Sequence, residues 1–234
     1  SGALWMVIFT IVFVAYTVIG GQLSVIRTDL YQAIIIYLGI FIALALFLPQ
    51  VGGLDGLRLS LPQDFFSFPV SSQFDWKALL SLLILVGATY VVGPDMYTRL
   101  FCARDEKTAQ RATFLSAFCF IPLAVAIVLI GMGARVLYPN ISPEQAFPQV
   151  ISGAFSPWLG GVILAALVAA LMSSADTCLL SQGVILTRDI IGRFVPSLSE
   201  KKIILLTRLN MIILGLLALG LAMILKGVIS SLLF

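Results

Sequence analysis

Six stretches of this chain are almost wholly apolar for about the length that a helix needs to cross a bilayer. They cover residues 3–19, 30–48, 79–100, 113–132, 158–186 and 203–225, against a requirement of about 20 residues per span. Inside hydrocarbon every backbone N–H and C=O must be satisfied within the segment, so such runs fold as helices. The composition agrees. Hydrophobic residues make up 60% and charged residues 11%, where a soluble domain carries roughly 45–50% and 25%, and the mean hydropathy is +1.10. No water-soluble fold hides that much apolar surface. The expected class is an all-α membrane protein of six transmembrane helices, with the lipid bilayer as its solvent. The third run is interrupted by Gly93-Pro94, and the fifth is long enough to protrude from the membrane.

Several function classes fall away. The chain has no histidine, which removes the usual proton shuttle and the commonest metal ligand. Cys102, Cys119 and Cys178 are odd in number and widely spaced, so neither a disulfide framework nor a metal site is indicated. A net charge of +3 gives no footprint for nucleic acid. No nucleophile–base pair or cofactor motif points to an enzyme. The sequence starts at Ser1 without a signal-peptide pattern and stops at Phe234 in apolar sequence. It reads as a piece of a longer chain whose missing helices would be its partners.

Orientation follows from lysine and arginine. Arg27, then Arg99, Arg104, Lys107 and Arg111, then Arg188, Arg193, Lys201, Lys202 and Arg208 follow the odd-numbered helices, ten in all. The opposite side holds four: Arg58, Lys77, Arg135 and Lys226. The ten lie inside, so both ends of this piece are expected outside. The outer loop 49–78 carries Phe65, Phe66, Phe68, Phe74 and Trp76, which suit an interfacial belt. Ser142-Pro143-Glu144 reads as an N-cap with proline at the first helical position, predicting a short outer helix over 143–151. The mixed-charge stretch 99–111 reads as a solvated inner helix and topology anchor.

Polar groups at membrane depth are costly and mark function by default. On the fifth run Ser173, Asp176 and Thr177 are spaced i, i+3, i+4 and share a face. Counting from Trp158, Ser173 lies roughly 22 Å along the helix axis. Hydroxyl, carboxylate and carbonyl oxygens together suit a hard cation such as sodium. The alternative is packing, because Ser and Thr in such helices also bond their own i−4 carbonyls or join two helices. Asp29, at the entrance of the second run, is either a ligand or an acid favoured by the helix dipole, with Thr28 as a possible N-cap. Gly87 and Gly93-Pro94 predict a doubly broken third helix lining a cavity, with Thr89 and Tyr90 facing solute. A simple proline kink is the competing reading.

Three strings together resemble the sodium:solute symporter family, which includes proline and sugar symporters. They are Gly20-Gly21-Gln22-Leu23-Ser24-Val25-Ile26-Arg27-Thr28-Asp29, then Gly93-Pro94-Asp95-Met96-Tyr97-Thr98-Arg99 with Ala103–Lys107, then Ala169-Ala170-Leu171-Met172-Ser173-Ser174-Ala175-Asp176 running to Asp189. The resemblance implies a leucine-transporter-type fold of two inverted five-helix repeats (5+5). In it residues 1–48 end the first repeat, 49–78 form an external loop, and 79–234 form most of the second. It implies sodium-coupled symport of a small organic solute by alternating access, with Na+ as the coupling ion. The family's common sodium site maps to Ala170, Ser173 and Ser174, completed by a core helix outside this sequence. A second sodium or proton site maps to Asp29, Ser173, Asp176 and Thr177, where Asp176 replaces a hydroxyl found in relatives. Two rival readings remain: a symporter-like sensor module in front of a histidine kinase, and a purely structural bundle.

Overall fold

The computed structural model describes residues 2–72, 74–195 and 197–224, and no strand occurs among them. The helices are α1 (Gly2–Phe47), α2 (Gly53–Ser60), α3 (Trp76–Val92), α4 (Pro94–Leu100), α5 (Glu106–Leu137), α6 (Ala146–Ala154), α7 (Pro157–Ile185), α8 (Gly192–Phe194) and α9 (Glu200–Ile224). A π-helical turn, Leu186–Ile191, joins α7 to α8. Among the described residues four helical stretches are long and apolar enough to span a membrane: Leu4–Val51, Glu106–Leu137, Pro157–Phe194 and Glu200–Ile224. The pair α3 and α4, bent by 49°, adds a fifth when counted as one span.

The first two predicted helices are joined without a loop. Gly21 alone leaves helical geometry inside α1, at φ 58° and ψ −152°, a region essentially restricted to glycine. Helix therefore resumes well before residue 30, and Asp29 lies inside an arm rather than in a first turn. Thr28 is not a cap either: its hydroxyl donates to the Ser24 and Val25 carbonyls, at 3.0 and 2.9 Å.

The break at Gly93-Pro94 is present. The Gly93 N–H closes α3 on the Thr89 carbonyl, and Pro94 opens α4, where its missing N–H costs nothing. The expected second break at Gly87 is absent, and α3 runs through it. Stretch 99–111 is not one helix, because α4 ends at Leu100 and Asp105 starts α5 by accepting from the Thr108 N–H at 2.8 Å. That backbone bond holds the Asp105 carboxyl below its usual range. The outer helix forms as a 3-10 turn, Pro143–Gln145, followed by α6, with no side-chain cap from Ser142. The last helix is Glu200–Ile224; Leu225 and Lys226 lie outside the described residues.

The chain divides after Tyr31 and after Ala170 into two compact units. Residues 32–170 make one. Its core gathers Phe47, Leu57, Ile130, Val150 and Ile163, and Phe47 packs on Gly133 so closely that a side chain there would collide with its ring. Pro122 inside α5 leaves the carbonyl one turn earlier without a helical donor. At that loosened turn the Tyr37 hydroxyl donates to the Cys119 carbonyl at 2.5 Å.

The outer stretches make the other unit, centred on Phe13, Val25, Leu179, Leu180 and Met211. Gly183 meets Met211 and Gly215 meets Val14, each too close for a Cβ. Arg208 donates to the Ile19 carbonyl at 3.3 Å, next to the break that releases it from the helix ladder. Asn210 donates to the buried Thr187 hydroxyl at 2.9 Å, fastening α9 to the π turn.

Candidate functional site

The site is built on α7 within the outer-stretch unit. Ser173, Thr177 and Ser181 recur at i+4 and so line one side of the helix, with Asp176 beside them. Asp176 is 0% exposed, and Thr177 and Ser181 are buried. Ser173 is half-buried and Ser174 is exposed.

Both arms of α1 meet this face. From the first, the Tyr16 hydroxyl donates to Asp176 Oδ2 at 2.5 Å. From the second, Asp29 Oδ1 accepts from the Ser173 hydroxyl at 2.6 Å. In a straight helix Tyr16 and Asp29 would stand about 20 Å apart, while their partners are about 4.5 Å apart on α7. The difference is taken up by the kink at Gly21, where the backbone leaves helical geometry between the two contacts, and by the reach of the side chains.

The Thr177 hydroxyl donates to the Ser173 carbonyl at 2.9 Å and lies 3.5 Å from Asp176 Oδ1. The first of these is the i−4 bond expected of a packing threonine. The second is at the limit of a hydrogen bond. Ser173 differs, because its hydrogen is aimed across to another helix. A hydroxyl that donates to a carboxylate keeps its lone pairs as acceptors, and the neighbouring anion makes them better ones. The cluster thus presents carboxylate, hydroxyl and carbonyl oxygens, the donor set of a hard cation.

Of the predicted residues, the fold brings Asp29, Ser173, Asp176 and Thr177 together. Ala170 lies one turn earlier on α7, just across the unit boundary. Gly87, Thr89 and Tyr90 are exposed on α3 in the 32–170 unit. The Thr89 hydroxyl is tied to the Leu85 carbonyl at 2.8 Å. Tyr90 borders a cavity of about 580 Å³ with Met96, Arg99, Thr113, Ser116 and Phe120.

Tyr16 escaped the sequence reading. Its signal was available: Thr10, Tyr16 and Thr17 are polar positions in an otherwise apolar run, and Thr10 and Thr17 are buried. Ser181 was legible by the same i+4 step that linked Ser173 to Thr177.

Comparison with known proteins now places the chain. Residues 2–232 match the model of the sodium:solute symporter family. The Danio rerio "Sodium/glucose cotransporter 4" is 25% identical, with 89% of this chain and 38% of the relative covered. The human "Sodium/myo-inositol cotransporter 2" is 25% identical over 85% of the chain and 35% of the relative. The Haemophilus influenzae "Sodium/proline symporter" is 27% identical over 89% and 44%. The chain thus spans about two fifths of the length of these curated relatives. It belongs to the sodium:solute symporter family; its relatives are transporters, not enzymes, and it is a multi-pass membrane protein.

Proposed function

We propose that this member of the sodium:solute symporter family carries part of a pathway that moves a small organic solute across the membrane with sodium. Ala170, Ser173 and Ser174 supply one carbonyl and two hydroxyls to a sodium ion, whose other ligands sit on a helix outside these 234 residues. Asp29, Asp176 and Thr177 form a second cation or proton position beside it. The observation that carries the reading is the 2.6 Å bond from Ser173 to Asp29. It holds a hydroxyl in place and keeps its lone pairs available. The solute binds near the α3–α4 break, where Tyr90 borders the cavity.

In this reading the ends of the piece face outside, and residues 1–48 and 79–234 belong to successive inverted repeats. Alternating access follows when sodium steadies α7 and the bundle rocks. One sodium crossing about 100 mV releases roughly 2.3 kcal/mol, and a tenfold gradient adds about 1.4 kcal/mol. The two together sustain a neutral solute at several hundredfold accumulation. Inner release needs modest affinity, which neutral hydroxyls and carbonyls provide better than a cage of carboxylates.

The test is uptake by the full-length protein in proteoliposomes over a mixed library of sugars, polyols and amino acids. Sodium-dependent uptake that collapses in Ser173→Ala and Ser174→Ala is expected. Uptake indifferent to sodium, or variants equal to the parent, would overturn the reading.

A further inference from the structure

The 32–170 unit carries a further cavity, and the packing around it fixes its level. Tyr37 meets Cys119 and Phe47 meets Gly133, so the later part of α1 and α5 run the same way. Val51 closes the span Leu4–Val51 and Leu137 closes Glu106–Leu137, each four residues beyond the Phe47–Gly133 contact. Four residues of helix are about 6–8 Å, so both spans stop at one level. Leu57 and Leu61 are buried in the same core as Phe47, and they draw α2 and the turn after it over those ends.

The cavity has a volume of about 450 Å³. Ser60 and Leu61 wall it from the end of α2, and Phe65 from the 3-10 turn Gln63–Phe66. Arg135, Val136 and Pro139 wall it from the end of α5 and just beyond. Arg135 is the one charged residue of the lining. Its guanidinium donates to the Pro139 carbonyl, which holds it against the cavity and uses one of its five N–H donors. Asp64, beside Phe65, is outside the lining and accepts from the Ser72 hydroxyl.

A cation with no carboxylate in the same cavity selects an anion, and a guanidinium fork matches the oxygens of a phosphate. The level selects the source, because lipid headgroups lie where spans end. Phe68, 94% exposed and three residues after Phe65, suits that interface. We propose that this cavity holds the phosphate of a phospholipid headgroup from the adjoining leaflet, bound by Arg135 with the Ser60 hydroxyl beside it. The acyl chains stay in the bilayer, and the bound headgroup fastens α2 to the end of α5. Nothing in this site draws on the sodium position described above.

The full-length protein, stripped of lipid in detergent, is titrated with phosphatidylglycerol, with diacylglycerol of the same chains, and with inorganic phosphate. Native mass spectrometry counts bound lipid, and thermal unfolding reports stabilisation. The parent should bind phosphatidylglycerol more tightly than diacylglycerol and be stabilised by it, with no response to millimolar inorganic phosphate. Arg135→Gln should weaken the first phosphatidylglycerol binding about fivefold, the scale of one basic residue at a lipid surface. Ser60→Trp fills the cavity from an exposed position and should weaken it at least as much. Arg58→Gln, which removes an exposed arginine of α2 outside the lining, should change nothing. If Arg135→Gln fails to fold, Ser60→Trp decides alone.

Equal binding of diacylglycerol, or a loss in Arg58→Gln as large as in Arg135→Gln, overturns the assignment, because the phosphate or the cavity then plays no part. Parent-like binding in either Arg135→Gln or Ser60→Trp overturns it as well. Stabilisation by inorganic phosphate that Arg135→Gln abolishes overturns the lipid source and makes the cavity a site for a soluble anion.

Discussion

Tyr16 and Asp176 are 160 positions apart in the chain, and a 2.5 Å hydrogen bond joins them with the carboxylate wholly buried. That bond decides how an acid can sit inside a membrane helix.

Removing the phenol in Tyr16→Phe leaves Asp176 without its short donor. Burial of an unsatisfied acceptor costs about 1–3 kcal/mol in soluble proteins, but interhelical polar pairs in membranes average only about 0.6 kcal/mol. The membrane figure governs here, so a loss of about 0.6–2 kcal/mol is expected. A double-mutant cycle with Asp176→Asn, read by thermal unfolding, should return a coupling of that size. Additive effects would show that the bond carries no stability.

Gly21→Ala should destabilise α1 without any collision. The residue sits at φ 58°, ψ −152° with open space around it. The penalty is therefore backbone strain, about 1–3 kcal/mol, rather than collision. Lower thermal stability and weakened sodium response together are the expected readout, because the kink lies between Tyr16 and Asp29, which both bond to α7.

Gly87→Ala should do the reverse. It lies inside a continuous helix with no atom within 4 Å of a built Cβ. Alanine there is expected to be neutral or to stabilise by up to about 1 kcal/mol, with uptake unchanged. A severe loss of uptake would show that a hinge at Gly87 is needed for transport.

Gly39→Ala forces a methyl to 2.3 Å from the Ala166 Cβ. Overpacking of this kind costs typically 1–3 kcal/mol. Ala166→Gly in the same chain should restore most of it, and unfolding temperatures of the two singles and the double decide the matter.

The spans were legible because lipid demands long apolar runs, and the α3–α4 break because a proline cannot continue a helix. Asp29, Ser173 and Asp176 stood out as polar residues where polarity is expensive. Less legible was anything that depended on what happens between runs. Residues 20–29 lay between two predicted helices, yet only Gly21 leaves helical geometry there, so Asp29 is not in a first turn and the dipole reading fails. Gly87 looked like Gly93, but only Gly93 has a proline after it to remove the next donor. Tyr16 was missed for another reason: it is one of a few polar positions in an apolar run, and its meaning depends on the helix that it faces.

The kink at Gly21 has a mechanical consequence. The segments of α1 before and after it hold α7 within one turn of a single face, through Asp176 and Ser173. A slide of α7 along its axis by a full turn would stretch both bonds at once, so this turn is pinned in register and moves, when it moves, together with both segments of α1.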